Sequence, residues 1–369
     1  MRNKRLDVLR SVAILLVLVR HGRGQALLRS GGWAGVDLFF VLSGFLISGL
    51  LFLEFKRRGS IQFKRFFIRR GLKLYPSLYV LLLGTLAIQL ILRQVSPFSN
   101  YLVEIFYVRN YFPGVWDHTW SLAVEEQFYV LLPILLLAML RFSSNRVDPF
   151  RSILFAFPVV AVACLALRFA KVASIPAGQL SATVDQVYSP TQYRIDSLFF
   201  GVLVGYIYHF RPQYLAAIGR KWNAALLSIL AGILISCAFW IPLASRFMLT
   251  VGFTLLYVGF GIALVLCLQV RDVLPRPLAR FIQPLSCGLA QIGMYSYSIY
   301  LWHGAINIWF LGFLHRYLHM DMGPHTRDLI YVVASISFGI LMSRAIEYPV
   351  LRIRDRIFPG IPTAVPSNS

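Results

Sequence analysis

Leu6–Gly24, LDVLRSVAILLVLVRHGRG, is an apolar run with an arginine near one end and a histidine near the other. Eleven residues separate Arg10 from His21, almost three whole turns. Both side chains therefore leave one helix face, about 16 Å apart along the axis. Ionisable groups on a membrane helix are costly unless they meet a cavity or a partner, so this face is expected to look into the protein. A structural reading competes: Arg10 snorkels to the headgroups and His21 is a hydrogen-bonded interior histidine.

The rest of the chain agrees with a membrane setting. Its 369 residues are 58% hydrophobic and 14% charged, with a mean hydropathy of +0.67. That places it among all-α polytopic membrane proteins. The formal charge of +21 could suggest nucleic acid, but the basic residues fall in short segments between apolar runs, as in cytoplasmic loops. No nucleic-acid partner is expected. Cys164, Cys237, Cys267 and Cys287 show no ligand or disulfide spacing, so neither a metal site nor a disulfide framework is expected. Basic residues precede the first apolar run without a small-residue cleavage site after it, and it reads as a retained helix.

At about twenty apolar residues per crossing, ten spans are expected, roughly 7–27, 34–54, 73–92, 121–140, 151–171, 194–210, 223–243, 247–269, 289–314 and 327–347. Basic clusters recur in alternate loops: the segment from Lys56 to Arg70, Arg141/Arg146, Arg211/Arg220/Lys221, Arg271/Arg276/Arg280 and Arg352/Arg354/Arg356. By the positive-inside rule these loops and both termini are cytoplasmic. The opposite loops near 93–120 and 172–193 are longer and rich in aromatic and polar residues, where substrate contacts are expected. Residues 1–357 read as one transmembrane domain, and 358–369 as a disordered, proline-containing tail.

Several apolar runs carry polar groups. In the second, Asp37, Gly44 and Ser48 form a small and polar stripe that lets another helix approach closely. Asp37 is expected at the depth of His21, where a carboxylate would orient the imidazole; a purely structural pair is the alternative. In HTWSLAVEEQFY, His118, Ser121, Glu125 and Phe128 share a helix face. Ser121 also suits an N-cap, and Glu126 an interfacial carboxylate near the helix N-terminus. Of the adjacent glutamates, Glu125 is expected to face with His118. Arg194 and Asp196 open the sixth run, and Ser296, Tyr300, His303 and Asn307 form a stripe in the ninth. Arg344 and Glu347 read as a structural ion pair. By depth, Arg10, Arg69, Arg70 and Lys73 make a basic inner layer, and His21, Asp37, His118, Glu125, Arg194 and Asp196 an outer one. The first suits phosphates, the second activation of a hydroxyl.

These residues resemble the membrane acyltransferase 3 family, O-acyltransferases that decorate surface polysaccharides, lipopolysaccharides, Nod factors and macrolides. Arg10 to His21 fits its R-X10-H motif. GVDLFFVLSGFLI (Gly35–Ile47) is close to its second-helix signature, FFIRRGLKLYP (Phe66–Pro76) resembles its arginine-rich third motif, and HTWSLAVEEQFY (His118–Tyr129) fits its fourth. YSYSIYLWH (Tyr295–His303) looks like its penultimate-helix pattern. Two departures stand out: LDVLRSVA replaces the usual glycine-rich opening, and Lys73 stands where arginine is usual, offering a point charge without the bidentate fork.

The resemblance implies transfer of an acyl group, usually acetyl from acetyl-CoA, to a sugar hydroxyl by a ten-helix protein of the stand-alone type, without a fused hydrolase domain. The expected localisation is the cytoplasmic membrane, and the expected partners are a carbohydrate or glycolipid acceptor and membrane lipid. His21 is then general base or transient acyl carrier, Asp37 its orienting partner, and Glu125 and His118 acceptor-side groups. Arg10, Arg69, Arg70 and Lys73 contact the phosphates of acyl-CoA, the co-substrate. Trp120, Arg194, Asp196, Tyr300 and His303 complete the substrate-binding set. The alternative class is a proton-coupled transporter or flippase of a glycan or glycolipid, using the same buried groups as a relay. A structural scaffold fits poorly with so many of them.

Overall fold

Asn3 opens the first helix, α1 (Lys4–His21), by accepting the amide of Arg5 at 3.0 Å, the usual work of an N-cap side chain. The fold is known from a computed structural model that describes residues 3–22, 26–145, 147–176, 178–216, 221–269, 276–320 and 322–359. Arg146, Arg220, Arg271 and the expected tail from residue 360 onward lie outside the described residues, as do the side chains of Lys221, Arg276 and Arg280.

After α1 come α2 (Gly35–Arg58) and α3 (Phe63–Ile91), then a short α4 (Phe98–Ile105). The middle of the chain forms α5 (Trp120–Phe142), α6 (Ile153–Ala173) and α7 (Ile195–Phe210). The last part forms α8 (Lys221–Trp240), α9 (Phe253–Gln269), α10 (Arg276–Met294), α11 (Ser296–Ala305), α12 (Leu311–Tyr317), α13 (Pro324–Met342) and α14 (Tyr348–Ile357). No strand occurs among the described residues. π-helical turns lead into α9 and join α11 to α12 and α13 to α14.

Among the described residues, seven helical segments are long and apolar enough to cross a membrane: 28–58, 63–91, 117–142, 153–173, 223–240, 248–269 and 324–357. The expected spans outside that set fall on α1, α7 and the α10–α12 stretch. α1 holds Lys4, Arg5, Asp7, Arg10 and Arg20 within its 18 residues, and α7 has 16.

One boundary differs from expectation in a way that matters. The basic segment after α2 was expected to be a loop, but α3 begins at Phe63 and the connection shrinks to residues 59–62. Nothing in FKRFFIRRGLK breaks a helix before Pro76, so Lys64, Arg65, Arg69, Arg70 and Lys73 ride on its first turns and point different ways around it.

Small residues bring α2 and α7 together, as the Asp37/Gly44/Ser48 stripe implied. A Cβ on Gly44 would lie 1.9 Å from the Leu198 carbonyl oxygen, and one on Gly201 would lie 2.2 Å from that of Val41, so only glycine fits. Phe40, Phe52, Phe128, Phe199 and Tyr206 fill the core beside this crossing. The two long loops are tied to each other and to α5. Asn110 donates to Thr191 at 2.8 Å, Thr191 to Gln127 at 2.5 Å, and Tyr111 to Gln192 at 2.8 Å.

Candidate active site

A cavity of about 640 Å³ lies between α1, α2, α3, α5, α7 and α11. Three of the four expected cations line it: Arg10 from α1, and Arg70 and Lys73 from α3. Around α3, Lys73 falls between Arg69 and Arg70; the Arg70 and Lys73 side chains enter the cavity, while Arg69, on the far side of Lys73, does not line it. Arg69 turns outward to Asp355 on α14 at 3.0 Å and to the Phe358 carbonyl. Arg69, expected to contact phosphate, thus lies outside this cavity, against the C-terminal helix.

The cavity also takes both adjacent glutamates, where only Glu125 was expected, and in a different neighbourhood. Glu125 Oε2 lies 3.9 Å from Arg70 Nη2, and Glu126 Oε1 lies 3.9 Å from Arg70 Nε. Ser43 donates to Glu125 at 3.1 Å, the Tyr129 hydroxyl donates to the same carboxylate, and the Tyr75 hydroxyl donates to Glu126 at 3.4 Å. The Arg70 guanidinium stacks 3.9 Å over the Tyr129 ring. Glu125 thus belongs with the cations and not with His118. The two turns from 118 to 125 carry it about 10 Å along the helix, out of the outer layer.

At its other end the cavity is bounded by Ser121 and Tyr300. The Tyr300 hydroxyl donates to the His118 carbonyl at 2.7 Å, so its oxygen receives the proton of Ser121 at 2.5 Å. Ser121 holds this tyrosine and makes no side-chain cap. Beyond the ring stand three imidazoles. His303 has its ring centroid 4.6 Å from that of His118 and 4.8 Å from that of His21; Tyr300 is 5.5 Å from His303.

Each imidazole is tied by one nitrogen to a main-chain carbonyl: His21 Nδ1 to Val17 at 2.9 Å, His118 Nε2 to Leu301 at 3.1 Å and His303 Nδ1 to Tyr300 at 2.5 Å. A carbonyl only accepts, so the tied nitrogen carries the proton and in the neutral ring the other is left basic. His303 Nε2 is buried with no hydrogen-bond partner. His303 and His118 are buried whereas His21 is exposed, so the cluster runs from interior to surface. The Asn307 side chain donates to the His21 carbonyl at 3.3 Å, joining the end of α1 to the π-helical turn after α11. His118 lies flat on α11 at Gly304, where a Cβ would be 2.9 Å from its Cε1.

Asp37 is not beside His21. It sits in a buried four-charge cluster, pairing with Arg194 at 2.7 Å, while Asp196 pairs with Arg168 at 2.8 Å. All four side chains are at most 1% exposed. Arg194 lies 3.9 Å over the Phe253 ring and 4.9 Å over that of Tyr188. A guanidinium offers carboxylates a stronger, forked partner than a neutral imidazole does, which accounts for the corrected pairing. Arg194 and Asp196, expected to bind substrate, are enclosed with Asp37 and join α2, α6, α7 and α9. Trp120 is likewise packed away, 4.7 Å from Tyr188 and 6.0 Å from Phe40. Glu347 does not pair with Arg344: it accepts from Ser298, and Arg344 lies 6.0 Å from the Tyr295 ring.

Reading the sequence missed Arg168, Glu126 and Tyr129 as members of these clusters. Arg168 gave a signal, as an arginine inside an apolar run. Tyr129, one turn after Glu125, gave another. For Glu126 there was none, because adjacent helical residues normally diverge.

A family model described as an acyltransferase domain matches residues 3–344. The O-acetyltransferase OatA of Staphylococcus aureus strain NCTC 8325 / PS 47 is 29% identical over an alignment of 378 positions, gaps included, that covers 97% of this chain and 58% of the relative. OatA of strain COL matches to the same extent. A further strain COL protein, named "Putative O-acetyltransferase SACOL0978", is 29% identical over 365 residues, 93% of this chain and 56% of its own. The chain thus spans little more than half the length of these relatives. No solved structure shows a significant match. With ordered motifs on helices around one cavity, and a family match over nearly its whole length, the chain belongs to the acyltransferase 3 family.

Proposed function

We propose that this protein is an integral membrane O-acyltransferase that moves an acyl group, acetyl in the simplest case, from acyl-CoA to a hydroxyl of a cell-surface or lipid-linked carbohydrate. The observation carrying this reading is one continuous arrangement: a cavity lined by Arg10, Arg70 and Lys73 that ends at Tyr300, against three imidazoles. Cations suit the phosphates of CoA. Basic imidazole nitrogens suit removal of a hydroxyl proton. Arg10 and His21 are about 16 Å apart on one helix face, a span comparable to an extended pantetheine arm. A nucleotide held at Arg10 therefore leaves its thioester near the imidazoles.

In the transfer, His21 takes the acceptor's hydroxyl proton and the oxygen bonds to the acyl carbon. The carbon–sulfur bond breaks, and CoA leaves as thiolate. His303 and His118 hold His21 at the reacting atoms, and the exposure of His21 suits a bulky acceptor. Residues 1–357 act as one membrane domain with about ten crossings in the cytoplasmic membrane, followed by a tail over 358–369. Basic clusters in alternate connections support cytoplasmic termini, so the cation-lined end opens inward and His21 faces outward.

The test is release of CoA thiol from acetyl-CoA by detergent-purified protein given lipid-linked glycan extracted from host membranes, with base-labile acetyl on the glycan read by mass spectrometry. Thiol release with acetylated glycan is expected. No release, together with gradient-driven movement of labelled glycolipid in proteoliposomes, would replace this reading with transport.

A further inference from the structure

Glu104 is buried, 2% exposed, on the short α4, away from the cavity and from every motif of the sequence. Its carboxylate reaches forward over a turn. Oε1 accepts the main-chain amide of Trp116 at 2.9 Å, and Oε2 accepts the hydroxyl of Thr119 at 2.7 Å. These two residues bracket the 3₁₀ turn Asp117–Thr119, whose central residue is His118. The Thr119 main-chain amide donates to the Trp116 carbonyl at 3.4 Å, closing the turn on itself. The Trp116 indole is fixed in turn: its Nε1 donates to Thr85 on α3 at 3.0 Å, and its ring lies 5.7 Å from His118 and 5.2 Å from Trp309.

A buried carboxylate is costly unless its oxygens are satisfied. Thr119 and Trp116 satisfy Glu104, and Arg109 lies near enough to oppose the upward push of burial on its carboxyl. The energy of that burial is thereby tied to the shape of one turn. Without the staple, the turn keeps its main-chain hydrogen bond, the Arg109–Asp117 pair at 2.6 Å, the Trp116 indole's bond to Thr85, the Tyr300 contact to the His118 carbonyl and the ring's bond to Leu301, none of which ties Thr119 to α4.

We propose that Glu104 is a positioning residue for acyl transfer, stapling Trp116 and Thr119 so that the His118 ring is held against His303. The proposal rests on the reading that His118 belongs to the transfer site. It assigns a function to the 93–120 loop beyond contact with substrate: half of it is a brace for the other half.

The test uses full-length protein in detergent with the thiol-release and glycan-acetylation assay above. Glu104→Leu and Thr119→Val should each lower turnover about ten- to a hundredfold, as small misplacements do. The Michaelis constant for acetyl-CoA should stay within about twofold, because the donor cavity is untouched. Thr119→Ser, which keeps the hydroxyl, should restore turnover to within about twofold of the parent, and so should Glu104→Gln, whose amide oxygen still accepts from Trp116 and whose NH2 can donate to Thr119. Glu104→Leu/Thr119→Val should be no slower than the worse single variant, since both break one staple.

Parental turnover in Glu104→Leu or in Thr119→Val, or additive losses in the double variant, would overturn the proposal. If Glu104→Leu does not fold, the Val/Ser pair at Thr119 decides. His118→Ala separates the two layers: parental turnover in it refutes the site reading, while an inert His118→Ala beside a fully active Glu104→Leu refutes the staple alone.

Discussion

His21 has an open side and a tied side. Its Nδ1 is committed to Val17, its ring meets His303, and the remainder is exposed at the end of α1. Replacing it by alanine removes the group proposed to take the acceptor proton and leaves the cavity intact. Turnover should fall roughly 10² to 10⁴-fold, the usual cost of losing a general base, while CoA binding measured calorimetrically stays near parental. Near-parental turnover would move the chemistry to His303 and His118. The two adjacent arginines of α3 offer a second comparison at this scale. Arg70→Ala should raise the Michaelis constant for acyl-CoA with a smaller change in turnover, as loss of binding shared by ground and transition states does. Arg69→Ala should leave it unchanged, because Arg69 faces Asp355 and the end of α14. A raised constant in both variants would show that Arg69 meets the donor as well.

Much of this was legible in single residues, and the reasons for the exceptions are physical. The R-X10-H spacing put Arg10 and His21 on one face of α1, and the structure has Arg10 lining the cavity and His21 joining the imidazoles beyond Tyr300, because helical rise and period are fixed by the backbone alone. The stripe of Asp37, Gly44 and Ser48 pointed to a close helix crossing, since small side chains permit only that. Pairing was not legible. Which carboxylate meets which guanidinium depends on the rotation of helices distant in sequence, and Asp37 meets Arg194 across 157 residues.

Among the helical elements, α2, α6, α7 and α9 share the enclosed cluster of Asp37, Arg168, Arg194 and Asp196. Breaking one partner of a buried ion pair leaves a stranded charge. Arg168→Ala should destabilise the protein by roughly 3–5 kcal/mol, read as a lowered melting temperature in detergent. Arg168→Met with Asp196→Leu should recover most of that loss, since apolar replacements of similar volume avoid the stranded charge. If the double variant is as unstable as the single one, the cluster does more than join helices. The length of α3 is an element-scale lesson as well. Hydropathy located its apolar part from 73 onward, but the basic turns from Phe63 are invisible to a hydropathy window and are the part that reaches the cavity.

In the orientation proposed above, the basic connections and the cation-lined end of the cavity face the cytoplasm, and the imidazoles and the paired long loops the opposite side. The proposed orientation gives a direct check. A single cysteine placed at Arg57, at the end of α2, should react with a membrane-impermeant maleimide only after cells are opened, and one placed at Asp117 should react in intact cells. The reverse pattern would invert the donor and acceptor sides.

The glutamates that straddle Arg70 have a consequence for the reaction cycle. Held 3.9 Å away on either side, Glu125 and Glu126 compete with any incoming anion for the same guanidinium, at the high effective concentration of groups on one scaffold. In the proposed reaction, donor binding is an exchange of anions, and the carboxylates that yield to the nucleotide later help to expel it. Where product departure limits the cycle, this favours speed over tightness. Glu126→Gln should accordingly hold free CoA more strongly and release it more slowly in a chase with unlabelled CoA, whereas faster release would show that the carboxylate braces Arg70 for the phosphate.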